Sequence, residues 1–208
     1  MKKKNFLLLA LVFFLCSIFY ASSVGNGSFA TTYETKAEVT YPGVTIKVGK
    51  NGNIDDSLVD IAEKELTKIP AEIREKFIAS GWAIYITDEN LAKTYYNGQH
   101  SSVYGITFYN KKLILMENSK VAVETAIIHE VGHWFDNYFG KISESTSFSR
   151  IYARESSVFL DEFARGCKMD IGEYFAESFY RYIVDANRMK KVSPQTYSLI
   201  DSYAQKMY

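Results

Sequence analysis

The feature that most constrains this chain is the run His129-Glu130-Val131-Gly132-His133. On an α-helix, two histidines four positions apart lie on the same face, one turn apart, and can bind one metal ion. Glu130 then lies beside the metal, where its carboxylate can act as a general base. The pattern predicts a hydrolytic zinc site with His129 and His133 as metal ligands and Glu130 as the catalytic residue.

The surrounding sequence predicts a helix at 119–139. Gly132 is the one glycine in this stretch, which contains no proline, and Asn118 or Ser119 is a suitable N-cap. Apolar residues recur at helical spacing and predict a buried face, formed by Ile127, Ile128, Val131, Trp134, Phe135 and Tyr138. The alternative interpretation is a core helix whose histidines are only hydrogen-bonded and bind no metal.

A catalytic zinc site has three protein ligands and one open position for water, so a third ligand must come from elsewhere in the chain. The remaining histidine, His100, lies in a turn-like segment at 97–100 and is read as a solvated loop residue. Glu173 and Glu177 are a better source, because they lie four positions apart in a helical segment otherwise rich in aromatic residues. Carboxylates are rarely buried without a cation or a hydrogen-bonded partner, so one of the two is predicted to bind the metal. The alternative is an exposed pair of acids, which would repel each other at this spacing.

Together these motifs resemble the catalytic domain of anthrax lethal factor and, more closely, the small secreted Pro-Pro endopeptidases of Gram-positive bacteria. The resemblance covers 102–202 and includes the segment Ser-Pro-Gln-Thr-Tyr-Ser at 193–198. It implies one zinc ion as the cofactor, with Glu173 completing the metal site. It also implies that Glu177 supports the ligands from outside and that Asp136 accepts a hydrogen bond from a ligand imidazole.

The resemblance fails at the residue that stabilises the oxyanion in the family. Family members carry a tyrosine seven positions before the glutamate ligand, and this chain has Gly166 there. Either another group, such as Tyr152 or Arg165, supplies that hydrogen-bond donor, or the chain works without one and more slowly.

A second departure concerns substrate specificity. Pro-Pro endopeptidases have a long loop with a tryptophan that shapes the proline-binding subsites, whereas the corresponding segment here, 95–100, is short and has no tryptophan or proline. The loop sequence therefore predicts a more open cleft in which Tyr95, Tyr96 and Tyr104 offer apolar surface. Peptidase chemistry is better supported by the sequence than Pro-Pro specificity.

Hydrophobic periodicity places these motifs in an α+β fold of the zincin-like metalloprotease type, a small mixed sheet followed by a helical half. Strands are predicted at 44–48, 82–87, 103–109 and 112–116, and helices at 55–68, 71–80, 119–139, 147–156, around 173–185 and at 194–206, the last with Ser193 as its N-cap. The strand at 102–109 is predicted to form an edge of the sheet that pairs with an extended peptide. Tyr104, Gly105 and Thr107 are its candidate substrate-binding residues.

The first 30 residues have the layout of a secretory signal peptide. Lys2, Lys3 and Lys4 precede an apolar run at 6–20, and small residues follow at 21–23 and around 28–30. The run is shorter than the about 20 residues that span a membrane, although an uncleaved anchor is an alternative. We therefore predict a signal peptide at 1–30, a loose polar segment at 31–42, a zincin-like catalytic domain at 43–208, and secretion to the extracellular space.

Removal of this segment leaves a slightly acidic chain. It takes away three of the 24 basic residues and none of the 24 acidic ones, so the formal charge changes from +0 to −3. Such a chain has no basic surface for nucleic acid. Cys167 is the one cysteine that remains, so an intrachain disulfide is excluded and the fold depends on packing. We predict a monomer without a nucleic-acid partner and without stable membrane association after signal cleavage.

The sequence thus predicts a secreted zinc-dependent endopeptidase that acts on a protein or peptide substrate. His129, His133 and Glu173 bind the ion, and Glu130 deprotonates the attacking water and returns the proton to the leaving amine. Two alternatives remain: a catalytically silent extracellular binding protein on a zincin scaffold, and a toxin-like protease directed at host proteins. The sequence does not define the substrate or the cleavage-site preference.

Overall fold

The computed structural model of the protein describes residues 37–41, 44–48, 57–98 and 103–208. Within these ranges the strands are β1 (Ala37–Tyr41), β2 (Val44–Val48), β3 (Ala83–Thr87), β4 (Gly105–Phe108) and β5 (Leu113–Glu117). The helices are α1 (Ser57–Leu66), α2 (Ala71–Ala79), α3 (Leu91–Tyr96), α4 (Lys120–Tyr138), α5 (Thr146–Phe163), α6 (Ile171–Val184), α7 (Ala186–Val192) and α8 (Pro194–Ala204). Short 3₁₀ turns lie at Tyr109–Lys111, Ile142–Glu144 and Gln205–Met207.

The described strands form one mixed sheet in the order β1-β2-β3-β5-β4. β2, β3 and β5 are parallel to one another, while β1 and β4 run antiparallel to their neighbours at the two edges. The predicted edge position of the strand near 103–109 is therefore confirmed for β4. The hairpin from β4 to β5 turns at Tyr109–Lys111 and closes at Lys112, which has a φ of 51°.

The two faces of the sheet pack against different clusters. In β5, Ile114 and Met116 belong to the main core beneath the helical half, whereas Leu113 and Leu115 belong to a smaller cluster with α3. This division follows from the two-residue period of a strand, which directs alternate side chains to opposite faces. The sheet thus has the helical half on one side and α3 on the other.

α4 forms as its sequence predicts. Ser119 is its N-cap and accepts a hydrogen bond of 3.2 Å from the Ala122 amide. Gly132 is where α4 meets α6, because a Cβ atom there would lie 2.9 Å from the Ala176 carbonyl oxygen and 3.1 Å from the Phe179 Cβ. The absence of a side chain at this position lets the two helices approach closely, which brings the acids of α6 to the histidines of α4.

Three elements were not predicted. The segment 31–42 was expected to be loose, but Ala37–Tyr41 forms β1, which pairs with β2 over its whole length. Its sequence, Ala-Glu-Val-Thr-Tyr, alternates apolar and polar residues as a strand does, but five residues give only a weak pattern from which to predict a strand from sequence alone. α3 and α7 were also missed, and α5 extends beyond the predicted 147–156 to Phe163. α3 and α7 are six and seven residues long, too short for a clear helical period.

The start of α8 differs from the prediction in its capping group. Ser193 occupies the expected N-cap position, but its side chain makes no capping hydrogen bond. The buried Glu155 of α5 instead accepts hydrogen bonds of 2.9 Å from the amides of Gln195 and Thr196, and one of 2.7 Å from the Thr196 hydroxyl. A carboxylate from another helix thus satisfies the first amides of α8, which the local sequence could not reveal.

The predicted signal peptide at 1–30 and the alternative ligand His100 lie outside the described residues. Among the helices of the described ranges, none combines the length and the hydrophobicity needed to span a bilayer.

Candidate metal centre

The two histidines of α4 and the first glutamate of α6 meet at one point. The two carboxylate oxygens of Glu173 lie 3.2 Å from His129 Nε2 and 3.3 Å from His133 Nε2. One donor atom from each of the three residues lies within 4.8 Å of the others, and all three side chains are largely buried. The structure therefore brings together the predicted ligand set.

The chemistry of this donor set fits a zinc ion. Two imidazoles and one carboxylate, with space for a fourth ligand, are typical of catalytic zinc sites. Bond lengths of about 2.1 Å in a tetrahedral arrangement place neighbouring donor atoms roughly 3.4 Å apart, close to the two separations found around Glu173. His129, His133 and Glu173 would hold the ion.

The same contacts shift the ionisation of the ligands. Burial lowers the pKa of His129, but the hydrogen bonds to Glu173 and Glu177 and the charges of Glu173 and Glu130 outweigh it and raise that pKa to about 10. Burial raises the pKa of Glu173, but the charge of His133 and the hydrogen bonds to both imidazoles lower it to about 2. His129 and Glu173 therefore stabilise each other's charged forms.

His129 is also contacted at Nδ1, the ring nitrogen that does not face Glu173. Glu177, one helical turn after Glu173, lies with Oε2 at 3.3 Å from His129 Nδ1, and the supporting role predicted for it stays a prediction. Its Oε1 accepts a hydrogen bond of 2.8 Å from Nε of Arg181 and forms an ion pair with Nη2 at 2.8 Å, and the Arg181 guanidinium lies 4.9 Å from the centre of the Phe163 ring. The sequence interpretation missed Arg181, although its position four residues after Glu177 is the spacing of a helical ion pair.

Arg181→Met is expected to weaken zinc binding about 10-fold, because Glu177 loses the partner that fixes it against the ligand imidazole. The matched control is Arg188→Met. Arg188 also stacks on Phe163, at 5.3 Å, and pairs with a glutamate, but that residue, Glu162, is partly exposed on α5. A chelator-competition titration compares the two variants, and equal zinc affinities would contradict a role for Arg181 at the metal site.

Asp136 lies on α4, three residues after His133. Its oxygens accept hydrogen bonds of 2.7 Å from the Ser143 amide and 2.6 Å from the Ser143 hydroxyl, which fastens the 3₁₀ turn at Ile142–Glu144 to the end of α4. Burial raises the pKa of Asp136, and the Ser143 hydrogen bonds and the charge of the nearby His133 oppose that effect. Its predicted role as an acceptor for a ligand imidazole stays a prediction.

Glu130 points to β4. Its side chain is only 2% exposed, and its Oε2 accepts a hydrogen bond of 2.7 Å from the Thr107 hydroxyl. Burial raises the pKa of Glu130, while the charges of His133 and His129 and the Thr107 hydrogen bond lower it. Of the residues predicted to contact substrate, Thr107 and Gly105 thus face the catalytic helix, and Tyr104 packs against the main core.

The two groups suggested as oxyanion donors are engaged elsewhere. The Tyr152 hydroxyl donates a hydrogen bond of 2.8 Å to the Met169 carbonyl oxygen. The Arg165 side chain is 79% exposed and pairs with Asp161 one turn earlier, at 3.2 Å. Gly166 has a φ of +84°, so the chain reversal after α5 favours glycine where the family has tyrosine.

Two other phenols lie close to the acids of the site. The pKa of Tyr96, at the end of α3, and that of Tyr109, after β4, are both raised. Burial is the largest cause in each case, and nearby carboxylates add to it: Glu130 and Glu173 for Tyr96, and Asp136, Glu130 and Glu173 for Tyr109. These phenols stay protonated near neutral pH and can donate hydrogen bonds. The sequence interpretation placed Tyr96 in the cleft as apolar surface, but it did not place Tyr109 at the site.

The segment 95–100, read from sequence as a short loop beside the cleft, begins inside α3. Tyr95 packs its ring on Phe108 at 5.4 Å, and its hydroxyl donates to Glu89 at 3.2 Å. The helix closes at Asn97 and Gly98, which have φ values of 52° and 71°. Tyr95 and Tyr96 both pack against the small cluster with α3, and the cleft role predicted for Tyr95 stays a prediction.

A helix that carries two histidines and a glutamate, a second helix that supplies the third ligand, and an antiparallel edge strand beside them define a zincin-like metalloprotease fold. The sequence matches the family model described as "Anthrax toxin lethal factor, N- and C-terminal domain" over residues 32–203. The chain therefore belongs to the anthrax toxin lethal factor family.

Among solved structures, the fold is similar to that of the Pro-Pro endopeptidase PPEP-2 from Paenibacillus alvei, with a TM-score of 0.57 and 21% sequence identity. The match covers 76% of this chain and 96% of the PPEP-2 chain. No curated protein sequence matches the chain. The predicted fold class and the predicted relation to lethal factor and the Pro-Pro endopeptidases are confirmed.

Proposed function

We propose that this protein is a secreted, zinc-dependent endopeptidase. The observation that carries the proposal is the position of Glu173 between the Nε2 atoms of His129 and His133, with the buried carboxylate of Glu130 on the same helix. Membership of the lethal factor family and a fold similar to that of a Pro-Pro endopeptidase support it. The lysines and apolar run at the N-terminus support secretion after removal of a signal peptide at 1–30.

We assign a separate role in catalysis to each residue of the site. When bound, the zinc ion supplies Lewis acidity, which makes a water molecule more acidic and a carbonyl carbon more electrophilic. Glu130 accepts a proton from the attacking water and donates it to the leaving amine. Glu177 keeps the His129 ring oriented by binding its Nδ1 atom, and Arg181 holds the Glu177 carboxylate in place. Tyr96 and Tyr109 are the neutral donors proposed to stabilise negative charge on the substrate oxygen, in place of the tyrosine that Gly166 replaces, because, in addition to burial, the charges of Glu130 and Glu173 raise the pKa of both phenols.

The substrate is proposed to be a peptide that pairs with the outer edge of β4, the edge on which no other described strand lies. Family resemblance suggests cleavage at Pro-Pro bonds, but the segment before β4 lacks the tryptophan loop that shapes proline subsites in the relatives. An extended peptide can instead form backbone hydrogen bonds with β4 over several residues, with apolar surface from Tyr96 beside it. Proline on both sides of the cleaved bond is therefore not expected to be required, and hydrophobic side chains near the cut are expected to be favoured.

A peptide-library digest tests function and specificity together. Purified mature protein, loaded with zinc, is incubated with a diverse peptide mixture and the products are read by mass spectrometry. We expect cuts that disappear with a chelator and return with zinc. Cleavage confined to Pro-Pro bonds would show that other residues rebuild the proline subsites, and no cleavage at full zinc occupancy would favour the silent binding protein.

A further inference from the structure

Glu130 is held against the inner face of β4 by two residues. Thr107 Oγ1 lies 2.7 Å from Glu130 Oε2 and 3.3 Å from the Glu130 carbonyl oxygen. Two positions earlier, a Cβ atom at Gly105 would lie 2.7 Å from both Cγ and Oε1 of Glu130 and 2.9 Å from its Cδ. Residues two apart in a strand direct their side chains to the same face, so both positions contact the Glu130 side chain from one direction.

These contacts constrain different parts of the Glu130 side chain. The Thr107 hydroxyl donates a hydrogen bond to Oε2. The space that a side chain at Gly105 would fill is the space that Oε1, Cγ and Cδ occupy. Because Glu130 is buried, it has little room to move aside for a methyl group at this position.

We propose that Gly105 and Thr107 are positioning residues that set the orientation of the Glu130 carboxylate. This inference rests on the proposed peptidase function. β4 then has two roles: its outer edge pairs with the peptide backbone, and its inner face fixes the general base. The same strand therefore aligns the scissile bond and the base with respect to each other, which is the geometric requirement for an efficient proton transfer.

A double-mutant cycle measured by thermal unfolding tests the contact without reference to activity. Gly105→Ala is expected to lower the Tm of the wild type by about 3–8 °C, because the new methyl group meets the Glu130 side chain. In a Glu130→Ala background the atoms that it meets are absent, so the same substitution is expected to have little effect. The difference between the two backgrounds isolates the contact.

Thr107→Val and Thr125→Val form the matched pair for the hydrogen bond. Thr125 lies on α4 and donates to the Val121 carbonyl oxygen at 2.7 Å, so the chemical change is the same at both positions. Only the effect of Thr107→Val on the Tm is expected to shrink in the Glu130→Ala background. Thr107→Ser keeps the hydroxyl and is expected to behave like the wild type.

Kinetics of the zinc-loaded variants separate positioning from a general structural role. Gly105→Ala and Thr107→Val are each expected to lower kcat about 10-fold or more, with KM and zinc content unchanged. Thr107→Ser is expected to restore kcat, and Thr125→Val to leave it at the wild-type level. Loss of packing alone would instead raise KM or lower the zinc content together with kcat.

The outcomes distinguish this inference from the proposed function. If Gly105→Ala lowers the Tm equally in both backgrounds, or if Thr107→Val retains full kcat, positioning by β4 is wrong. If the zinc-loaded wild type cleaves no peptide, the proposed function is wrong, and the stability cycle still decides whether Gly105 and Thr107 hold the Glu130 side chain.

Discussion

Glu130→Gln is expected to lose peptide cleavage by two to four orders of magnitude while it keeps a full complement of zinc, within the roughly 10²–10⁴-fold range of a general base. The amide has nearly the same shape as the carboxylate, and its oxygen can still accept the hydrogen bond from Thr107. It cannot take a proton from water at neutral pH. Chemistry is therefore lost while the fold and the metal site remain.

The measurement combines kcat/KM on a cleaved library peptide with zinc content by elemental analysis and the Tm. The control is Glu144→Gln, the same substitution at an exposed glutamate of the 3₁₀ turn Ile142–Glu144. Glu130→Gln turnover close to that of the control would reject Glu130 as the base. Loss of zinc in Glu130→Gln would instead assign this side chain to the metal.

Glu173→Ala is expected to abolish stoichiometric zinc binding, because two imidazoles then remain without the carboxylate that lies between them. Glu177→Ala removes a carboxylate that contacts Nδ1 of His129, the ring nitrogen that faces away from the proposed zinc position. The expected cost is therefore about 10 to 100-fold in zinc affinity. The order of the two effects separates a ligand from a residue that supports one.

A chelator-competition titration of the wild type and both variants gives the zinc affinities, with the Tm as a check on folding. Zinc binding by Glu173→Ala equal to that of the wild type would remove Glu173 from the ligand set. His100→Ala is expected to be neutral, and loss of zinc in that variant would make His100 the third ligand.

The sequence was sufficient for the features that depend on local periodicity. The helical spacing around His129 and His133 predicted α4 to within one residue at each end, and the i,i+4 pair Glu173 and Glu177 predicted a helix with two acids on one side. Such patterns are informative because a helix places residues four apart on one face wherever it lies in the fold. Short elements such as α3 and α7 were missed because they carry less than two clear periods.

Contacts between elements that are distant in the chain could be decided only by the tertiary structure. The sequence marked Gly105 and Thr107 as strand residues that bind substrate, but the register of β4 on β5 turns both toward Glu130. The sequence also predicted Ser193 as the N-cap of α8. In the structure, the carboxylate of Glu155, 40 residues before Gln195, accepts the hydrogen bond from the Gln195 amide. A side chain's partner across the fold depends on strand register and helix crossing.

The sequence alone determined the ligand types, their spacing and the resemblance to a zinc peptidase family, because these are properties of local geometry and residue chemistry. The tertiary structure decided which face of β4 meets α4, how closely α6 can cross α4 at Gly132, and that Glu177 of α6 lies against His129 of α4. These depend on packing, where a contact forms only once two separate elements have been brought within a few ångströms of each other.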